Sequence, residues 1–213
     1  MSKPYLAYSR PQARSWSEAT DRELLLAVAS DDESAFDALM ARKTPPLLQL
    51  AYRMLGDREE ARDVVQVTFL RVWSHRARYD RRWSPNTWLY RIATNLAIDQ
   101  LRARRSRQRA SEPIRLHLRR VADARSCGDL GRLGRQEVRG ILEELAGKLS
   151  ERQRAVFLLR EVEGLASPEV ARILGCKSST VRNHLFAARR ILRRELARRY
   201  PEYAAGVAPQ ESS

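Results

Sequence analysis

The stretch WSPNTWLYRIATNLAIDQLRARRSRQR, Trp83 to Arg109, constrains this chain more than any other. Pro85 fits the first turn of a helix, where its missing N–H is no loss. Leu89, Ile92, Ala93, Leu96 and Ile98 follow at helical spacing and mark a stripe that must be buried. A second face carries Arg91, Asn95 and Arg102, with Trp88 near its start. The helix then runs out into Arg104, Arg105, Arg107 and Arg109. Between Arg76 and Arg109, ten arginines stand against two aspartates, Asp80 and Asp99. A merely solvated face rarely carries so one-sided a charge. Arginines bind phosphates, and flat rings stack on bases drawn out of a duplex.

The charge bias extends to the whole chain. Forty Lys and Arg outnumber 26 Asp and Glu among 213 residues, a formal charge of +14. Nucleic acid is the leading partner for such a surface, and an anionic membrane is the rival. The hydrophobic share of 43% supports packed cores. The length suits two small domains of roughly 60–100 residues each. Cys127 and Cys176 lie far apart and read as free thiols in a reducing compartment. With His75, His117 and His184 they are too scattered for a zinc site, so no metal is expected. No carboxylate cluster or Gly-rich phosphate loop is present, so neither a catalytic residue nor a cofactor is expected. The opening MSKPYLAYSRPQARSW lacks the apolar core of a signal peptide. No apolar run approaches the roughly 18 residues of a membrane span. The expectation is a cytoplasmic protein that does not insert into a membrane.

Along the chain, residues 1–19 read as a flexible tail. Thr20-Asp21-Arg22-Glu23 is a capping box opening a helix with Leu24, Leu25 and Val28. Asp31 and Asp32 precede a second helix containing Phe36, Leu39 and Met40. Pro45-Pro46 predicts a kink or a new start, and Gly56-Asp57 a stop. From Asp57 to Trp73, Ala61, Val64, Val65, Thr68, Phe69, Val72 and Trp73 form a regular helical stripe. Asp63, Gln66 and Leu70 lie off it, free for a docking face or merely solvated. Residues 74–84 have no period and read as a basic loop. Trp83, Asn86, Thr87, Trp88, Arg91 and Asn95 around that loop favour single-stranded or melted DNA, although either Trp alone would more simply anchor a core.

Pro113, Gly128, Gly131 and Gly134 break residues 111–134, which read as a flexible linker. Beyond it, Val138, Ile141, Leu142 and Leu145 predict one helix. Ser150-Glu151-Arg152-Gln153 caps another, ending at Gly164. Ser167-Pro168-Glu169 caps a short helix that Gly175 ends in a left-handed turn. Ser178 or Ser179 caps a long last helix with Val181, Leu185, Ala188 and Leu192 inward. Residues 199–213 read as a second flexible tail. From Ser167 onward this is a helix-turn-helix pattern. Ser179, Thr180, Arg182, Asn183, Phe186, Arg189 and Arg190 stay available to DNA. Arg182 and Asn183 suit guanine and adenine edges. An ordinary helical hairpin with a basic face is the plainer alternative. The fold class is all-α: two small helical domains joined by a flexible linker, the C-terminal one a helix-turn-helix.

The strings DVVQVTFLRVW, TWLYRIATNLAIDQLRARR and LSERQRAVFLLREVEGLASPEVARILGCKSSTVRNHLFAARRIL, in that order, resemble a bacterial RNA polymerase sigma factor of the extracytoplasmic-function (ECF) group. The resemblance covers about residues 20–110 and 135–196. It implies a sigma-two domain over 20–110 and a sigma-four domain over 135–198. It implies docking on the clamp of core polymerase through Asp63, Val64, Val65, Gln66, Phe69 and Leu70, with a further contact to the flap. Recognition and melting of the -10 element falls to Arg81, Arg82, Trp83, Ser84, Asn86, Thr87, Trp88, Arg91 and Asn95. The -35 element falls to Lys177, Ser178, Ser179, Thr180, Arg182, Asn183, Phe186, Arg189 and Arg190. It also implies control by an anti-sigma factor. Val67 replaces an often acidic position, Ala187-Ala188 stand where many members have a basic residue, and the linker is unusually rich in arginine.

Two other readings compete. A dimeric response-regulator output protein suits the C-terminal string, but the first domain lacks the matching α/β pattern. A nucleic-acid enzyme lacks any supporting constellation.

Overall fold

The computed structural model describes residues 16–115, 145 and 147–199, with residues 108–115 described as helical backbone. Among them every regular element is helical. Helix α1, Asp21–Ala29, opens on the expected capping box. The Glu23 N–H donates to Thr20 Oγ1 at 3.3 Å, and the Thr20 N–H donates to Glu23 Oε2 at 2.7 Å. Helix α2, Glu33–Leu55, is capped by Asp32, whose carboxylate accepts from the Ala35 N–H. Pro45 and Pro46 neither end nor restart it. Two prolines leave the carbonyls one turn earlier without their usual donors. Burial of Leu39, Leu47 and Leu50 holds the helix on both sides of the pair. Gly56 closes it with φ 73°.

Asp57 accepts from the Glu59 and Glu60 N–H groups and starts α3, Arg58–Ser74. The expected basic loop has more order than its composition suggests. It contains a 3-10 turn, Arg76–Arg78, and then buries Tyr79, whose hydroxyl donates to the Trp83 carbonyl at 2.9 Å. Ser84 Oγ accepts from the Thr87 N–H at the start of α4, Pro85–Arg115. The helix therefore runs beyond residue 110, where the sequence placed its end. The rest of the expected linker lies outside the described residues.

The core of this first unit joins Leu24, Leu25, Leu39, Leu50, Met54, Val72 and Leu89. Phe36 bridges two layers, with ring centroids 6.2 Å from Phe69 and 5.0 Å from Trp73. Ring pairs of this kind add about 0.5–1.5 kcal/mol beyond burial.

Of the helix expected around Val138, Ile141 and Leu142, only Leu145 is described; it is helical and buried. Helix α5, Glu151–Phe157, opens on the expected Ser150–Gln153 capping box. It passes into a π-helical turn, Leu158–Val162, closed by the Glu163 N–H donating to the Leu158 carbonyl at 3.0 Å. Gly164 follows at φ 69°. Helix α6, Ser167–Leu174, has Ala166 in the cap position, so the cap lies one residue before the expected Ser167. The Ala166 N–H donates to Glu169 Oε2 at 3.4 Å. Gly175, φ 61°, ends α6 in the left-handed conformation the sequence required. Helix α7, Ser178–Arg199, starts with the Val181 N–H on the Lys177 carbonyl, so Lys177 takes the cap position expected of Ser178 or Ser179. Val181, Leu185 and Ala188 are buried as expected, whereas Leu192 is half-buried and Glu195 is buried. Arg198 donates to Glu195 and holds its carboxyl below the usual glutamate range.

The two units touch. Helix α6 packs along α4, α5 meets α4, and the π turn meets α2. Arg154 on α5 donates to the Met54 carbonyl at 2.5 Å. Burial, with Arg104 and Arg105 nearby, pulls its pKa below the usual guanidinium value.

Candidate nucleic-acid and polymerase interfaces

The start of α4 gathers most of the residues expected to meet melted DNA. Arg81, Arg82, Ser84, Asn86, Arg91 and Asn95 are exposed. Arg82 pairs with Asp80 at 2.7 Å, and its donated hydrogen bonds hold the Asp80 carboxyl below the usual range. Asn86 Oδ1 accepts from Lys43 Nζ at 2.8 Å. Trp83 and Trp88 are half-buried, each with one partner ring or cation. The Arg91 guanidinium sits 4.9 Å from the Trp83 ring centroid, and Tyr79 sits 5.2 Å from Trp88. These contacts fix both indoles while leaving an edge toward solvent. Burial, opposed by the Arg22 charge, raises the Tyr79 pKa.

Thr87 does not belong to this exposed group. It is 2% exposed, its hydroxyl pairs with Ser84 Oγ at 2.7 Å, and it donates to Glu169 Oε1 of α6 at 3.4 Å. The neighbouring unit covers it. Tyr90, three residues on, is covered too and donates to Glu163 Oε2 at 3.0 Å. Burial first, then the Glu163 charge, pushes the Tyr90 pKa far up. The sequence reading missed Tyr90 and Tyr79. A weak signal for Tyr90 existed: Thr87, Tyr90, Thr94 and Ala97 share a helical face and are all buried.

The first turns of α7 carry a solvent-facing strip. Lys177, Ser179, Arg182, Asn183, Phe186, Arg189 and Arg190 are exposed, and Ser178 and Thr180 are half-buried. Phe186 is 69% exposed. Arg189 is engaged by Glu161 at 2.8 Å. Cys176, half-buried, is a free thiol in the turn before this helix.

On α3, Asp63, Gln66 and Leu70 face solvent, and Leu70 is 60% exposed. Val64 points the other way, into the core, because it lies on the buried stripe. Val65 and Phe69 are buried from one side but line a groove of about 760 Å³ between α2 and α3. Phe36, Met40 and Trp73 form its apolar floor, and Glu33 and Asp37 its acidic rim.

Comparison with known proteins accounts for both units. The Sigma-70 region 2 family model matches residues 39–107, and the Sigma-70, region 4 model matches residues 139–192. The ECF RNA polymerase sigma factor SigW of Bacillus subtilis is 30% identical over 175 residues, spanning 79% of this chain and 92% of its own. SigE of Mycolicibacterium smegmatis, another ECF sigma factor, is 32% identical over 200 residues, spanning 89% and 74%. The chain belongs to the ECF sigma factors. Its structure is similar to CnrH in complex with the cytosolic domain of CnrY, with a TM-score of 0.63, 26% identity, and 84% and 98% of the two chains covered. As a sigma factor it binds core RNA polymerase and directs transcription initiation at promoters; it is a transcription regulator rather than an enzyme. The region 2 match displaces the reading as a dimeric response-regulator output protein. Among the described residues no helix is long and apolar enough to cross a membrane.

Proposed function

We propose a division of labour among the three surfaces of this sigma factor. The α3 strip of Asp63, Gln66 and Leu70, with Val65 and Phe69 in the adjoining groove, docks on the polymerase clamp, and Val64 supports it from beneath. The exposed edge of α4, from Arg81 to Asn95 without Thr87, takes the -10 element as it melts. Bases trapped on Trp83 or Trp88 contribute about 1–3 kcal/mol each. The α7 strip from Lys177 to Arg190 reads the -35 element in the major groove, where Arg182 suits a guanine edge. The two units span 20–110 and 135–198, and the segment between them sets the distance at which both DNA elements are held. Linking two modest contacts in this way raises joint affinity when the span fits. The chain acts in the cytoplasm, where polymerase and promoter meet. CnrH forms a complex with the cytosolic domain of CnrY, and in this reading a protein partner, an anti-sigma factor, holds the present chain until a signal arrives.

The observation that carries this reading is the α7 strip, a basic and aromatic face left bare behind the left-handed turn at Gly175. Run-off transcription with core enzyme on a promoter library tests it. Promoter-selective transcripts that need the added chain are expected. Asp63→Ala with Gln66→Ala is expected to weaken polymerase binding and leave duplex binding by the chain unaltered. Loss of both together overturns the division.

A further inference from the structure

The contact between the two units is chemically lopsided. Arg154 apart, which donates across to the Met54 carbonyl, the groups on the first unit are donors: the guanidinium groups of Arg53 and Arg105 and the hydroxyls of Thr87 and Tyr90. On the second unit they are carboxylates. Glu163 accepts from Tyr90 at 3.0 Å and lies 3.4 Å from Arg53. Glu151 lies 2.9 Å from Arg105, and Glu169 takes Thr87 at 3.4 Å. Residues 147–199 hold five glutamates and no aspartate, and three of the five meet this one strip. In a unit otherwise crowded with arginine, that placement needs a reason beyond solubility.

We propose that Arg53, Thr87, Tyr90 and Arg105 form a binding strip for the nucleic-acid sugar-phosphate backbone, which the glutamates of the second unit occupy while the chain is closed. Guanidinium and hydroxyl donors are what proteins use on phosphate oxygens. A carboxylate oxygen accepts the same bonds in the same geometry. The strip adjoins the exposed edge of α4, so it extends that surface across Thr87 and Tyr90 onto α2. Opening exchanges intramolecular glutamates for phosphates, so the free chain masks part of its own DNA surface. The inference rests on the DNA-binding reading of α4, which run-off transcription by the unaltered chain tests separately.

The test compares the full chain carrying Glu151→Lys and Glu163→Lys with a control carrying Glu18→Lys and Glu59→Lys, two exposed sites away from the contact. The control matches the change in net charge. Small-angle scattering reads opening, circular dichroism reads helix content, and fluorescence anisotropy reads affinity for a mixed-sequence 20-nucleotide single strand. The reversed pair is expected to expand the chain and to bind the strand roughly tenfold tighter than the control. Adding Arg53→Ala to the reversed pair is expected to lower the slope of log affinity against log salt by about 0.7, one phosphate's worth on a single strand. Glu163→Gln, which keeps the side chain's shape, moves opening and affinity the same way by less. Failure to expand, with helix content intact, overturns the glutamate latch. Expansion without tighter binding, or an unchanged salt slope in the Arg53→Ala variant, overturns the phosphate strip.

Discussion

Helices α4 and α7 are both long, both basic and both assigned to DNA, yet they are built into the molecule differently. Helix α7 buries one stripe, Val181, Leu185 and Ala188, and leaves the opposite face bare. Helix α4 buries two. Leu89, Ala93 and Ile98 belong to the first unit's core, while Thr87 and Tyr90 lie under the second unit. What remains exposed is an edge through Arg91, Asn95 and Arg102. A recognition helix needs one brace and otherwise open space. A helix that also organises its own domain and receives another has little free surface, and each exposed position carries more of the binding.

The sharpest way to break this comparison is to delete the same kind of bulk from each helix. Leu89→Ala on α4 is expected to cost about 2–5 kcal/mol of stability in urea unfolding. Phe186→Ala on α7 is expected to stay within about 0.5 kcal/mol while weakening duplex binding. Equal costs would mean α7 is as embedded as α4. Next, Arg182→Ala is expected to relax selection at one -35 base by about 1–3 kcal/mol, read from competition among single-base promoter variants. A uniform loss across all variants would make Arg182 a phosphate contact instead.

A smaller effect tests whether the units unfold together. Thr20→Ala and Ser150→Ala each remove a capping box and cost about 1 kcal/mol. If the contact between α4 and α6 couples the units, either change shifts one shared transition. Two separate transitions, each answering to its own cap, would show weak coupling. The smallest effect is alkaline. The folded chain keeps the Tyr90 proton at a pH where the unfolded chain, near the ordinary value of 10, releases it. This contribution is complete below about pH 10 and is lost as the phenol ionises above it. Unfolding followed from pH 9 to 11 should therefore fall more steeply for the native chain than for Tyr90→Phe.

The helices and their caps were largely legible because they depend on neighbours in sequence. Thr20, Ser150, Gly56 and Gly175 act within one or two turns of themselves, and local chemistry declares them. The α3 stripe was readable for the same reason. Pro45-Pro46 did not break α2, because burial of the helix along its length outweighed local propensity. The order around Tyr79 escaped because it depends on a hydroxyl meeting a carbonyl across a loop without period. The cover over Thr87 and Tyr90 was not legible, because it comes from residues more than seventy positions away. Val64 was assigned to the docking face through the family string, although its own periodicity already pointed inward.

The π turn at Leu158–Val162 gives this arrangement a particular evolutionary pliancy. A π turn holds one residue more than an α turn, so one residue removed there lets it tighten to α geometry and shifts the residues just after it against α2 and α4. Glu163 would swing away from Arg53 and Tyr90 while the amphipathic pattern inside α6 and α7 stayed whole. A single-codon deletion would then retune how readily the two halves part, without touching any residue that reads a base.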